Sequence, residues 1–191
     1  SRRTWPTPRP GGNVAGKYLL AVDAGTSGAR CLAFDLQGNQ RAGSAREWSY
    51  YTPKDAPSLA REFHPKAFWS IICQLIAETL RNGGIKAIEI AAVAVTSQRQ
   101  GIVFLDRDGR ELYAGPNLDL RAVFEGAAID DKMGERVHQV TGHLPSFFFV
   151  PAKLRWFQIH HPDTYARIAS VLTMADWIVW KLTDVLRSEA T

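Results

Sequence analysis

Cysteine is nearly missing from this chain: Cys31 and Cys73 are the only two in 191 residues. Two widely separated cysteines build neither a disulfide framework nor a zinc site. Such sparing use fits a reducing, cytoplasmic compartment. Both stand among apolar neighbours and are expected to be buried free thiols. Long apolar runs are missing as well. None approaches the ~18 residues that a membrane-crossing helix needs, so no membrane partner is expected. The N-terminal stretch has no apolar core of the kind that marks a secretion signal. A concentrated basic patch is also lacking. The net charge is +4, from 23 basic against 19 acidic residues, and Arg2, Arg3 and Arg9 supply part of the excess. No basic run interleaved with aromatics occurs in the body of the chain, so nucleic acid is not an expected partner. The five histidines show no ligand spacing with carboxylates and are expected on surfaces or caps.

What is present is an ordinary globular composition, 46% hydrophobic and 22% charged, in a chain long enough to bury a core. Residues 1–16, SRRTWPTPRPGGNVAG, carry turn formers and no periodicity, and read as a disordered leader. Short apolar runs at 17–23 and 30–36, the turn QGN at 37–39 and a third run over 40–52 predict a β-meander. Apolar positions Phe68, Ile71, Ile72, Leu75, Ile76 and Leu80 recur at helical spacing over 65–82, with Pro65 near the first turn and Gly83 after the end. The near-continuous small apolar run at 90–98 predicts a central strand covered on both faces. Further strands are expected at 101–106 and 110–115. Helices are expected over 118–139, over 153–162 with Pro162 as the stop, and within 171–183. Trp177 and Trp180 read as core. The sum is a mixed α/β domain with an antiparallel opening.

Two stretches carry chemistry. In LLAVDAGTSGARCLAFD (19–35), Asp23 ends one apolar run and Gly25, Thr26, Ser27, Gly28 and Arg30 lead into the next. Glycines bring backbone N–H groups close to a ligand, hydroxyls add donors, and Arg30 adds a planar cationic fork suited to phosphate oxygens. Asp23 offers the hard oxygen that Mg²⁺ prefers. The competing reading is a plain hairpin turn. The stretch is not a P-loop, because GK[ST] is missing, and not a dinucleotide turn, because a strand follows where a helix should. The second stretch is TSQRQG (96–101) with PNLDLRA (116–122). Gln98, Arg99 and Gln100 close a predicted strand, where α/β proteins place ligand contacts. Asp119 and Arg121 follow a turn. Donors and acceptors of this kind suit the hydroxyls of a polyol; the competing reading is a solvated loop with an ordinary ion pair.

In one order the chain shows DAGTSGAR, TSQRQG, LDRDGREL, PNLDLRA, TGHLPSFFFVPAKLRW and ADWIVWKLT. This series resembles the N-terminal domain of the FGGY carbohydrate kinases, from about Lys17 to Thr191. The resemblance implies an actin-like ATPase (ribonuclease H-like) fold, with a mixed sheet, an antiparallel β-meander opening and flanking helices. It implies ATP and Mg²⁺ as cofactors and a small sugar or polyol as substrate, with a homodimer of the full-length protein as a candidate assembly. Asp23, Gly25, Thr26, Ser27 and Arg30 would form the phosphate site, with Asp23 toward the metal. Arg99, Gln100, Asp119 and Phe148 would bind the acceptor. Asn117 stands where the family commonly carries Trp. Glycerol kinases pair the Arg with Glu where this chain has Gln100, and place Tyr near Phe148; xylulose kinases carry Met-His at Arg99-Gln100. The wording R-x-G-I-V and N-x-D-x-R-A is nearer to autoinducer-2 kinases. The family's general base would lie beyond Thr191, so residues 17–191 are expected to be part of a first lobe that does not turn over alone. The alternatives are a non-catalytic nucleotide-binding lobe, and an actin-like or chaperone-like ATPase, against which TSQRQG argues.

Overall fold

The opening meander forms as its apolar runs and turns dictate. β1 (Tyr18–Ala24), β2 (Gly28–Asp35) and β3 (Gln40–Glu47) are joined antiparallel in sequence order. The computed structural model describes residues 16–188, so the leader expected over 1–16 lies outside the described residues except for Gly16. The turn after β2 is tied by Asp35, whose Oδ1 accepts the N–H groups of Gln37 and Asn39, and Gly38 takes the left-handed φ of +85° that an L side chain resists. β3 ends at Glu47, five residues before the predicted end at 52. Trp48 and Tyr50 leave the sheet because their polar tips reach back to the β1–β2 loop.

α1 (Pro65–Gly83) crosses this sheet. Pro65 opens it and Gly84 closes it in the left-handed conformation, its N–H bonding back to Arg81 and Leu80. Phe68, Ile72, Leu75 and Thr79 form its buried stripe. Burying each of the three apolar side chains stabilises by about 1.5–3 kcal/mol. Thr79 is tolerated there because its hydroxyl bonds the Cys31 carbonyl at 3.0 Å and meets Ser44 Oγ at 2.8 Å.

β4 (Ile90–Ser97) pairs parallel with β1. The first sheet therefore runs β3-β2-β1-β4, with β4 at its edge. This corrects the expectation of a buried central strand at 90–98: Ala92, Val93 and Ala94 are exposed. The strand covered on both faces is β5 (Ile102–Leu105), buried at every position. It lies between β6 (Glu111–Gly115) and β7 (Ser170–Thr173) in a second sheet, both pairings antiparallel. Val103 and Leu105 join the main core with β1, β2 and α1, while Ile102 and Phe104 face a second cluster with Tyr113, Trp156 and Phe157.

α2 (Val123–Thr141) starts five residues later than the pattern predicts, because Leu118–Ala122 form a pinned loop described below. α3 (Val150–His160) carries Pro at its start and ends just before Pro162, which also begins a helix that was not expected, α4 (Pro162–Arg167). α5 (Met174–Thr183) is capped by Thr173, whose Oγ1 accepts the Asp176 N–H at 3.1 Å. Trp177 is fully buried and Trp180 partly so. Cys31 is buried as expected, but Cys73, on α1, is exposed. Among the described residues no helix is long and apolar enough to cross a membrane.

Candidate functional site

The β1–β2 loop is built by its tethers. Antiparallel register sets Asp23 opposite Arg30, and the guanidinium grips one carboxylate oxygen, Oδ2, through Nε at 2.9 Å and Nη2 at 2.8 Å. Both side chains are partly exposed, so the pair orients more than it stabilises. Three successive loop carbonyls are drawn toward the protein. Ala24 accepts the backbone N–H of Gln98 at 2.8 Å, Gly25 accepts the Trp48 indole N–H at 3.0 Å, and Thr26 accepts the Tyr50 hydroxyl. Among the described residues no protein acceptor takes the N–H of Gly25, Thr26 or Ser27. A loop with its carbonyls tied back and consecutive N–H groups unclaimed is suited to an anion.

The glycines serve close approach rather than a left-handed turn, since neither has a positive φ. A Cβ on Gly25 would stand 3.1 Å from the Gly28 carbonyl, and one on Gly28 would stand 3.2 Å from that of Arg46. Thr26 Oγ1 accepts from the Asn117 amide at 3.0 Å, which leaves its own proton available for donation. Ser27 is exposed. A cleft of about 390 Å³ runs beside the loop, lined by Asp23, Gly28, Ala29 and Arg30 together with Ala45–Glu47 of β3.

The second stretch meets the first at Gln98. This side chain is buried, donates to the Tyr50 hydroxyl at 3.2 Å and accepts the Asn117 N–H at 2.9 Å. Burial raises the Tyr50 pKa against the lowering effect of Gln98, so Tyr50 keeps its proton. Arg99 is exposed and makes no ion pair or side-chain hydrogen bond among the described residues. Gln100 holds φ at +63°, a conformation non-glycine residues seldom adopt. Such strain persists where the surroundings over-determine the backbone, commonly at ligand sites.

Asp119 is placed differently from its expected contact with the acceptor. It is fully enclosed, and both oxygens are spent: Oδ1 on the Arg61 N–H at 3.0 Å, Oδ2 on the Tyr113 hydroxyl and on Arg121 Nε at 2.7 Å. Arg121 is itself buried, bonds Glu62 at 2.7 Å and lies 4.6 Å over the Tyr113 ring. Burial works against its charge, but Tyr113, Asp119 and Glu62 outweigh that and raise its pKa. Burial and the Asp119 charge push Tyr113 well above its ordinary value. Asp119 therefore pins the loop that carries Asn117, presenting no free oxygen to a ligand.

Phe148 sits half exposed in a 3₁₀ turn (Ser146–Phe148), its ring 4.1 Å from that of Phe147. Its carbonyl takes the buried Lys153 ammonium at 3.5 Å; burial lowers the pKa of that lysine. No hydrogen bond or ring contact among the described residues joins Phe148 to Arg99 or to the β1–β2 loop. His160 bonds Glu125 at 3.1 Å, and that pair lines a separate cleft of about 500 Å³ between the 54–59 loop and the α2 and α3 helices. His64 and His161 occupy helix ends. The sequence pattern did not single out Trp48 or Tyr50. Their signal is faint: the aromatic run EWSYY, closing a strand that is otherwise polar and exposed.

Comparison with known proteins adds the family. The FGGY family of carbohydrate kinases, N-terminal domain, matches residues 18–191. An autoinducer-2 kinase of Salmonella typhimurium is 36% identical over 176 residues, 90% of this chain and 33% of the relative. One of Photorhabdus laumondii is 35% identical over 182 residues, 93% of this chain and 34% of the relative. The chain thus spans about a third of the length of the curated relatives it matches. Among solved structures, a ligand-bound xylulose kinase from Lactobacillus acidophilus superposes with a TM-score of 0.79 at 19% identity, covering 88% of this chain and 34% of that one. Plasmodium falciparum glycerol kinase with ADP gives 0.74 at 18% identity, covering 87% and 34%. These structures carry the fold, and the expected actin-like architecture is the one found.

Proposed function

The chain belongs to the FGGY family of carbohydrate kinases, and from that membership we propose that the full-length protein transfers the γ-phosphoryl group of ATP to a hydroxyl of a small sugar or polyol. The observation that carries this reading is the Ala24–Gly28 loop, with three carbonyls tied back and three N–H groups unclaimed. Thr26 and Ser27 add hydroxyls, and Arg30 adds a positive charge fixed by Asp23. Mg²⁺ fits the donors present. Asp23 spends Oδ2 on Arg30, and its Oδ1 has no partner among the described residues. Mg²⁺ prefers one or two carboxylates, several waters and the phosphates themselves. Held there, the ion would neutralise charge on the transferring phosphates.

On the acceptor side, Arg99 has an uncommitted guanidinium, and Gln100 follows on a fixed, strained backbone. We assign these two to the acceptor hydroxyls, Phe148 to an apolar wall and Asp119 to the loop beneath. In the transfer, the bond from the γ-phosphorus to the bridging oxygen breaks and a bond to the acceptor oxygen forms. The proton of the acceptor hydroxyl passes to a base, a part assigned to no residue of this chain. Positioning and electrostatics supply most of such catalysis. The acceptor class proposed is a ketopentose-like or related small polyol. The autoinducer-2 kinases among the relatives add autoinducer-2 to the candidates.

The test is acceptor-dependent ADP release by the full-length protein across glycerol, pentuloses, pentitols and autoinducer-2. Arg99→Ala should lower kcat/KM for the acceptor by about ten- to hundredfold, the loss of a charged hydrogen bond, with the ATP KM little changed. A change confined to the ATP KM would refute the assignment of Arg99.

A further inference from the structure

The two halves of the site are closed into a ring of hydrogen bonds. Starting from Thr26 in the phosphate loop, its carbonyl accepts the Tyr50 hydroxyl. That hydroxyl oxygen accepts Gln98 Nε2 at 3.2 Å. Gln98 Oε1 accepts the Asn117 N–H at 2.9 Å, and Asn117 Nδ2 returns to Thr26 Oγ1 at 3.0 Å. Four residues from four separate segments thus form one circuit. Two details show that the circuit is built in. Gly101 leaves room for it, since a Cβ there would stand 3.1 Å from Gln98 Cγ. The Asn117 side-chain carbonyl is enclosed without a partner, so its amide is held where the donor is needed, at the expense of the acceptor.

Resting on the kinase reading above, we propose that Tyr50, Gln98 and Asn117 are positioning residues that lock the phosphate loop in register with the Arg99-Gln100 acceptor segment. Gln98 is the hinge of this coupling. Its backbone N–H holds the Ala24 carbonyl, its side chain holds the ring, and the next two residues are the acceptor pair. A displacement of Arg99 and Gln100 by a bound acceptor is transmitted to Thr26 by two routes that act only as a pair, through Tyr50 and through Asn117, because either one alone leaves the loop free to pivot. Neither route contains an ionised group, so the coupling should be insensitive to moderate salt.

The test uses Tyr50→Phe, Asn117→Ala and the double variant in the full-length protein. Tyr50→Phe deletes one hydroxyl, and Asn117→Ala keeps the backbone N–H while removing the side chain that bonds Thr26. Each single variant should lower kcat by about ten- to hundredfold, as a small misplacement of reacting groups does, with the acceptor KM within about twofold. Because both break one ring, the double variant should be no worse than the poorer single one, a non-additivity that independent sites do not show. Unfolding midpoints close to that of the parent would separate this loss from general destabilisation. Multiplicative losses, or losses confined to the acceptor KM, would overturn the ring while leaving the kinase reading intact. If the parent protein binds ATP but phosphorylates no acceptor, the kinase reading fails, and the same cycle in ATP Kd decides the ring. There, non-additive loss supports it and additive loss refutes it. Failure of the parent protein to bind ATP at all would overturn both.

Discussion

Tyr51 donates its hydroxyl to Glu62 Oε2 at 2.9 Å, and its pKa is pushed up to about 12, first by burial and then by the Glu62 charge. Unfolded, the same group titrates near 10. Between these values the native state holds the proton that the unfolded chain has lost. Its contribution to stability is therefore full below about pH 10 and falls as pH rises toward 12. Tyr51→Phe should show a shallower loss across that window in urea unfolding at stepped pH, with Tyr50 and Tyr113 contributing to the slope that remains. The two cysteines offer a second test at this scale. Cys73 is exposed and Cys31 buried, with burial raising both thiols. A thiol reagent at mildly alkaline pH should titrate one group in the native chain and two in denaturant. The apolar neighbours of Cys73 in sequence hid its exposure, because a helix turns successive residues through 100° and adjacency says little about facing.

At the level of elements, the 3₁₀ turn that carries Phe148 depends on a glycine in α2. Gly126 is buried in α2, and a Cβ there would fall 2.3 Å from Phe147 Cα, which is backbone and cannot swing aside. Gly126→Ala should push the Ser146–Phe148 turn off α2 and destabilise by about 1–3 kcal/mol, read as a lowered urea midpoint. Elements were legible wherever local chemistry decided them: the meander, by its turns, and α1, by its stripe and terminal glycine. They were misread where partners decided. The alanine-rich run of β4 has the composition of a doubly covered strand, yet composition does not count neighbours. Pro162 fits the start of a helix as well as it breaks one, and Asp119 with Arg121 delays α2 through contacts with Arg61 and Glu62, some sixty residues away. In the site, the glycines, hydroxyls and Arg30 stood out because their types are unusual together. Trp48 and Tyr50 did not, since both bond backbone carbonyls, which leave no trace in a sequence pattern.

For the whole molecule, the arrangement sets one sheet with its long helix beside a second, smaller sheet, and the proposed site spans the ends of strands from the first. The loop between β1 and β2, the end of β4 and the loop after β6 converge there although they lie up to about ninety residues apart in sequence. The free edge of the first sheet has a different consequence. β4 has a neighbour on one side only among the described residues, and its middle is Ala92, Val93 and Ala94, without a charge or a proline. An uncovered edge of this kind is a template for strand addition. Concentrated solutions of this chain should therefore scatter light as copies join edge to edge, and Val93→Lys should suppress the growth. The colloidal behaviour of the chain is thus governed by the middle of the same strand whose end leads into the acceptor segment.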